Sequence, residues 1–211
     1  MRAAVVGKTG TVEERIAVGP ALLVRWRRWN EIGPLVALCQ AAGAEAWAID
    51  PLDNTGPEPD WWLLADAPRA ALIAGGLHAR LAHAVRLGRG RLLMLGGCLS
   101  LGGQQGAGGW HDDDLLPVTS AGDDTVECLD GVVAEGQGAC PAWTSFGYNR
   151  VLARPGAKVR AHFGPDPAWV MSEDGHVQVW CSDLLPHWGP RQSEASISGW
   201  LGEMFNKGAA A

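Results

Sequence analysis

Short apolar runs alternate with helical patterns through the first hundred residues, and no other feature narrows the possible folds as much. Ala3 to Gly7, Ala44 to Asp50 (AEAWAID), Trp61 to Asp66 (WWLLAD) and Arg91 to Leu95 (RLLML) are nearly continuous in apolar character. Strands buried on both faces read that way, as in a parallel sheet with helices on either side. Between them, Glu31 to Ala42 carries Ile32, Leu35, Val36 and Cys39 at helical spacing, with Gly43 where a C-cap belongs, and Leu77 to Leu87 repeats the pattern. Strand, helix, strand in this order predicts βαβ units with right-handed crossovers. The second half has shorter runs between Gly/Asp-rich connections: Thr125 to Leu129, Val159 to Phe163, Ala168 to Met171 and Val177 to Ser182. These predict added, partly antiparallel strands. A final amphipathic helix is expected from Ser193 to Phe205, ending at Lys207-Gly208 before an alanine tail. No repeat or linker divides the chain, so residues 1–207 are expected to form one domain, with 208–211 as the tail.

Composition excludes several classes. Of 211 residues, 47% are hydrophobic and 19% charged, which suits a globular chain with a full core and not a disordered one. With 23 acidic against 17 basic side chains and no long Lys/Arg block, a sequence-independent grip on nucleic acid is not expected. No stretch reaches the roughly 18 uninterrupted apolar residues of a membrane span. Met1 to Lys8 lacks a secretory h-region, and the five cysteines Cys39, Cys98, Cys128, Cys140 and Cys181 show neither C-x-x-C nor zinc-ligand spacing. The expected compartment is therefore the reducing cytoplasm, without a disulfide framework. Eleven Trp beside one Tyr and three Phe is an unusual balance. Trp47, Trp61, Trp62, Trp169, Trp180 and Trp200 fall on predicted strands or the last helix and are expected in the core. Trp26, Trp29, Trp110 and Trp188 fall in loops expected to gather at the C-terminal edge of the sheet, as walls of an aromatic cleft.

That edge is where open α/β sheets place ligands, and Leu92 to Gly103 (LLMLGGCLSLGG) reaches it. A nucleophile on a sharp turn after a buried strand needs small neighbours, because the backbone there is strained and closely approached. Gly96, Gly97 and Ser100 around Cys98 meet that need; Cys98 is either such a nucleophile or a small residue in a tight turn. His111-Asp112-Asp113-Asp114 mixes imidazole and carboxylates but is expected to be a solvated acidic turn and not a metal site, with His111 the residue nearest the edge. Trp26-Arg27-Arg28-Trp29, preceded by Arg25, lies in the long loop expected after the first strand. Alternating indole and guanidinium there suits an anionic ligand group or a self-stacked surface loop. His78, His83, His162 and His176 lie on helix or strand patterns with no role assigned.

Strand-Gly-Gly-Cys-Leu-Ser resembles the G-x-C-x-G elbow of the class I glutamine amidotransferase-like superfamily. The chain is closer still to a cytosolic glutamine amidotransferase-like branch of it. The motifs that carry this are Trp110-His111 before Leu116-Pro117-Val118, Gly147-Tyr148-Asn149-Arg150-Val151, and Ser182-Asp183-Leu184-Leu185-Pro186-His187-Trp188-Gly189, together with Ala65-Asp66-Ala67. The resemblance implies a flavodoxin-like α/β three-layer sandwich with a mainly parallel central sheet. It also implies a Cys-dependent amide hydrolase or amidotransferase: Cys98 as nucleophile, His187 as base, Asp183 as its orienter, and oxyanion donors from Leu99 and the Asp66 to Arg69 loop. Gly97, Trp26, Arg28, His111 and Trp188 complete the expected substrate surroundings. No cofactor or metal is implied; a small amide substrate, and a synthase partner or a second copy of the chain, are. Two departures stand out. The closer branch carries an aromatic residue where this chain has Cys98. The superfamily's catalytic His belongs to a His-Pro-Glu directly after the last core strand, which here reads Trp180-Cys181-Ser182-Asp183. The other function open to the chain is therefore that of a non-catalytic relative using the inherited cleft for ligand binding or assembly.

Overall fold

The computed structural model describes residues 1–6, 14–17, 23–26, 32–50, 52, 55–65, 67–97, 100–101, 109–110, 113–136, 140, 144–184 and 193–209. The first half runs β1 (Arg2–Val6), β2 (Glu14–Ala17), β3 (Leu23–Trp26), α1 (Ile32–Ala41), β4 (Glu45–Ile49), β5 (Trp61–Leu64), α2 (Arg69–Ala74), α3 (Leu77–Arg86) and β6 (Arg91–Leu95). The second runs β7 (Val118–Val133), β8 (Glu135–Gly136), β9 (Thr144–Ala153), β10 (Lys158–Phe163), β11 (Asp166–Met171), β12 (Val177–Trp180) and α4 (Glu194–Ala209). Among the described residues, eight strands form the main sheet in the order β4-β1-β5-β6-β12-β11-β10-β8. Pairing is parallel from β4 through β12 and antiparallel from β12 to β8, the mixed α/β sheet that the alternation predicts.

The pleat sorts each strand's side chains into two cores. Ala3, Val5, Trp61, Leu63, Leu93, Leu95 and Trp180 face Leu35, Leu38, Ile197, Leu201 and Phe205 of α1 and α4. Ala4, Val6, Trp62, Leu64, Leu92, Met94 and Val179 face Leu72, Leu77, Leu81 and Val85 of α2 and α3. The indoles consolidate the first core. Trp61 meets Phe205 at 5.7 Å between ring centroids, and Trp180 meets Trp200 at 5.5 Å. Trp61, Trp62, Trp169, Trp180 and Trp200 are buried as expected, while Trp47 is half-buried. Gly43 takes φ 88° at the end of α1, where a side chain would be strained.

The structure adds to or corrects the expected elements at four points. The segment after β1 contains an antiparallel hairpin, β2–β3, with Glu14 opposite Trp26, so Trp26 lies on a strand. Helix α2 begins at Arg69, the last residue of the loop expected from Asp66 to Arg69, and runs on to Ala74. Thr125 to Leu129 is part of the much longer β7, which pairs with β9 as a separate two-stranded ribbon, broken in register between Ser120 and Thr125 and between Glu127 and Val132. Those bulges interrupt the period-2 alternation by which a strand is recognised along the chain. Helix α4 runs to Ala209, four residues past the Phe205 at which the apolar spacing ends it.

Cys39 and Cys181 are buried core thiols as expected, and burial pushes Cys39 up to about 12 and Cys181 upward as well. Burial also raises Cys128 and Cys140. Among the described residues, no helix is long and apolar enough to cross a membrane, and no three His, Cys, Asp or Glu side chains group as a metal site.

Candidate functional site at the end of strand β6

β6 and β12 are neighbours in parallel register, with Leu95 opposite Trp180, so the segments leaving their C-terminal ends emerge side by side. Gly96 is the point of closest approach. Its N–H donates to the Trp180 carbonyl at 2.7 Å and to the Ser182 carbonyl at 3.1 Å. A Cβ at this position would stand 2.6 Å from the Cys181 carbonyl carbon and from the Ser182 nitrogen, so only glycine fits. Gly97 follows at φ 152°, a conformation open to glycine, and its N–H donates to Asn149 Oδ1 at 2.8 Å. On the far side of the turn, Ser100 is buried, and its hydroxyl donates to the Leu95 carbonyl at 2.7 Å. The residues on either side of positions 98 and 99 are therefore held by hydrogen bonds.

Asn149 joins this turn to the last core strand. It is 2% exposed; its side chain accepts from Gly97, and its N–H donates to the Cys181 carbonyl at 2.7 Å. Ser182 Oγ donates to the Gly147 carbonyl at 2.7 Å. The Gly147 to Val151 motif is thus the part of β9 that holds the ends of β6 and β12 together. The sequence displays this motif without assigning Asn149 a task. A buried-type strand with one amide side chain in it is the available signal, but its partner lies 52 residues away.

The residues flanking Asn149 meet a different group. Tyr148 donates its hydroxyl to Asp166 Oδ2 at 2.9 Å, and Arg150 Nε reaches the same oxygen at 3.3 Å. Burial first, then the bond to the Asp166 carboxylate, pushes the Tyr148 phenol up to about 12. Its contribution to stability is whole below the ordinary tyrosine value of about 10 and is lost as pH rises toward the folded value. Tyr148 is the chain's only tyrosine, so tyrosinate absorbance reads it without interference from another phenol. The expected midpoint in the folded protein is about 12. Asp166→Asn should lower it, and a midpoint near about 10 in the wild type would show that the bond is not made.

On the other side of β6, the loop after β5 is held by the chain returning from the elbow. Trp110 is fully buried and donates its indole N–H to the Ala67 carbonyl at 2.8 Å. It belongs to the core beside α2 and α3, which corrects its expected place in a cleft wall; an indole with a buried carbonyl in reach satisfies both its ring and its N–H there. Asp113 corrects the solvated acidic turn. Its side chain is 1% exposed; Oδ2 accepts from Arg69 Nε and lies 2.7 Å from His78 Nε2, while Oδ1 accepts from the Leu115 N–H at 2.9 Å. Burial alone would raise this carboxyl. The Leu115 N–H, Arg69 and His78 outweigh it and hold the group below the ordinary carboxylate range. His78, given no role from the sequence, is thereby one of its partners. Asp114 is on the surface, paired with Arg86 at 2.9 Å.

Of the expected site residues, Gly97 and the half-buried Asp183 are brought to the same sheet edge by β6 and β12. Asp66 falls between Ala65, whose N–H donates to the Val6 carbonyl, and the buried Ala67. Cys98, Leu99, Asp66, Arg28, His111, His187 and Trp188 lie outside the described residues, as does the side chain of Trp26.

The mixed α/β sheet, with bonded glycines at the C-terminal end of a central strand, is of the glutamine amidotransferase-like type. The chain belongs to the family described as "Putative glutamine amidotransferase", whose model matches residues 78–201. Similar solved structures agree on the fold. A cytoplasmic protein of Salmonella typhimurium is 21% identical, with TM-score 0.73 and coverage of 98% of each chain. A second cytoplasmic protein of the same organism is 20% identical, with TM-score 0.72, over 98% of this chain and 99% of that one. A glutamine amidotransferase is 16% identical, with TM-score 0.58, over 86% of this chain and 95% of its own. No curated protein matches the sequence.

Proposed function

We propose that the chain is a Cys-dependent amide hydrolase or amidotransferase of the cytoplasm, with Cys98 as its nucleophile. The observation that supports this most is the turn around position 98, pinned by Gly96 to β12, by Gly97 to Asn149 and by Ser100 to Leu95. These bonds bring the chain on either side of position 98 to the sheet edge, where attack on a carboxamide would need a nucleophile. His187 takes the thiol proton, held by Asp183. The thiolate forms a bond to the carboxamide carbon, with the oxyanion received by the Leu99 N–H and the loop at Asp66. The C–N bond then breaks, ammonia leaves with the proton from His187, and water or an acceptor amine resolves the thioester. Use of the ammonia in synthesis would require a synthase partner; the alternative assembly is a second copy of the chain.

A second reading has its own observation. The segment directly after β12, where a catalytic His would sit by resemblance, reads Cys181-Ser182-Asp183, and the Ser182 hydroxyl is already bonded to Gly147. A relative that binds a ligand without turning it over would look the same. Iodoacetamide labelling followed by intact mass separates the two. Cys39, Cys128, Cys140 and Cys181 all have thiols raised by burial and are poor thiolates near neutral pH. An activated Cys98 should label roughly tenfold faster than these or more, and Cys98→Ser should abolish that phase. Labelling of Cys98 no faster than the background thiols would leave the binding reading in possession.

A further inference from the structure

Gly97 is the residue before Cys98, and both of its peptide groups are held. Its N–H donates to Asn149 Oδ1 at 2.8 Å. Its carbonyl accepts from the Ser100 N–H at 3.3 Å and from the Ser100 hydroxyl at 3.2 Å. A glycine at φ 152° has no Cβ to restrict it, so its torsions are set by whatever holds the groups on either side. Gly96 is engaged as well, through the bonds of its N–H to Trp180 and Ser182. The N–H groups of Gly96, Gly97 and Ser100 are therefore all committed within the protein, and none is open to a developing oxyanion. That limits the donors this segment can offer to the N–H groups of positions 98 and 99.

Asn149 reaches Gly97 from another element, and its own backbone is fixed. Its N–H donates to the Cys181 carbonyl, and two residues earlier the Gly147 carbonyl accepts from the Ser182 hydroxyl, each at 2.7 Å. On the opposite face of β9, Tyr148 and Arg150 both bond Asp166 at the start of β11. An amide carried on backbone tied to two strands of the main sheet cannot follow Gly97 if Gly97 moves; Gly97 must conform to it. The site also selects the side chain. It is buried, so a carboxylate there would bring an uncompensated charge, and an aliphatic residue would leave the Gly97 N–H without its acceptor. One residue thus ties the chain entering position 98 to the chain that leads on to Asp183, the two halves of the catalytic group proposed above.

We propose that Asn149 is a positioning residue for Cys98, setting Gly97 and the chain entering position 98 against the end of β12. Its part in the reaction rests on the reading of Cys98 as nucleophile; its hold on Gly97 does not. The test combines two measurements on the wild type, Asn149→Ala and Asn149→Asp. The first is the rate of iodoacetamide labelling at each cysteine as a function of pH, which gives the midpoint of the Cys98 thiol. Asn149→Ala is expected to move that midpoint toward the ordinary cysteine value of about 8.5 and to slow Cys98 about tenfold near neutral pH, with Cys128 and Cys140 unchanged. A role confined to stability would lower Tm and leave the midpoint of the folded protein where it was. The second is hydrogen exchange at the Gly97 amide, expected to be slow in the wild type, about tenfold faster or more in Asn149→Ala, and slow again in Asn149→Asp, which keeps an acceptor in place. If Asn149→Ala does not fold, Asn149→Asp decides: its charge beside Gly97 should raise the Cys98 midpoint by about one unit or more, and an unmoved midpoint overturns the proposal. Fast labelling of Cys98 in the wild type with the same midpoint in folded Asn149→Ala overturns it too, and leaves the nucleophile reading intact. Slow labelling of Cys98 in the wild type removes the nucleophile reading instead. The hold on Gly97 is then judged by exchange alone: protection lost in Asn149→Ala and regained in Asn149→Asp upholds it, and equal exchange in all three proteins overturns it.

Discussion

Gly96→Ala is expected to lower stability by about 3 kcal/mol or more, well beyond the usual cost of an extra methyl group in a core. The added carbon would sit 2.6 Å from two backbone atoms of Cys181 and Ser182. Those atoms continue from β12, which is bonded to β6 on one side and β11 on the other, so no side-chain rotation relieves the contact. Relief requires the two strand ends to part, which breaks the Gly96 bonds to Trp180 and Ser182 and pulls Gly97 from Asn149. Denaturant unfolding measures the loss, with a fall in Tm of roughly 10 °C for a chain of this size. A variant within about 1 kcal/mol of wild type would mean that the strand ends are not so closely joined. Any selective thiol reactivity of Cys98 should fall with it.

Asp113→Ala is the second large effect, expected at about 3 kcal/mol. It removes the acceptor shared by Arg69, His78 and the Leu115 N–H. Arg69 is a third exposed and keeps contact with water, which holds the cost at the low end for a broken buried pair. Asp113→Asn keeps the shape and an acceptor for Leu115 and should cost less. The pH dependence has a definite sign. The folded pKa lies below the ordinary value of about 4, so the stabilisation is whole above that value and is lost as pH falls through the folded one. Unfolding midpoints measured from neutral to acid pH should therefore fall for wild type below about pH 4 and stay flatter for Asp113→Asn. Parallel curves would show that this carboxylate is not held ionised by its neighbours.

Both effects act on positions whose chemistry the sequence displayed unequally. Gly96 was legible: a glycine pair directly after RLLML, at the edge where a parallel sheet presents its turns, marks a close approach of backbone to backbone. Asp113 was not. Three consecutive aspartates read as a wet turn, and what reverses that for the second of them is Arg69, 44 residues away, and His78, 35 residues away. The same holds for Asn149, a lone amide in a β-run until Gly97 is brought against it. Trp110 was misplaced for a related reason: its loop position was right, but the buried carbonyl that draws its indole inward belongs to another loop.

What the sequence alone determined was the part set by neighbours along the chain: the period of apolar residues, the strand-helix order, the parallel half and the antiparallel half, and the glycine turn after β6. Each follows from side-chain periodicity and local backbone freedom. Tertiary structure decided which polar groups leave water together. Burying Asp113, Asn149 or Tyr148 is costly unless a partner of the right kind arrives in the same place, and those partners come from other elements, brought together by the order of strands in the sheet.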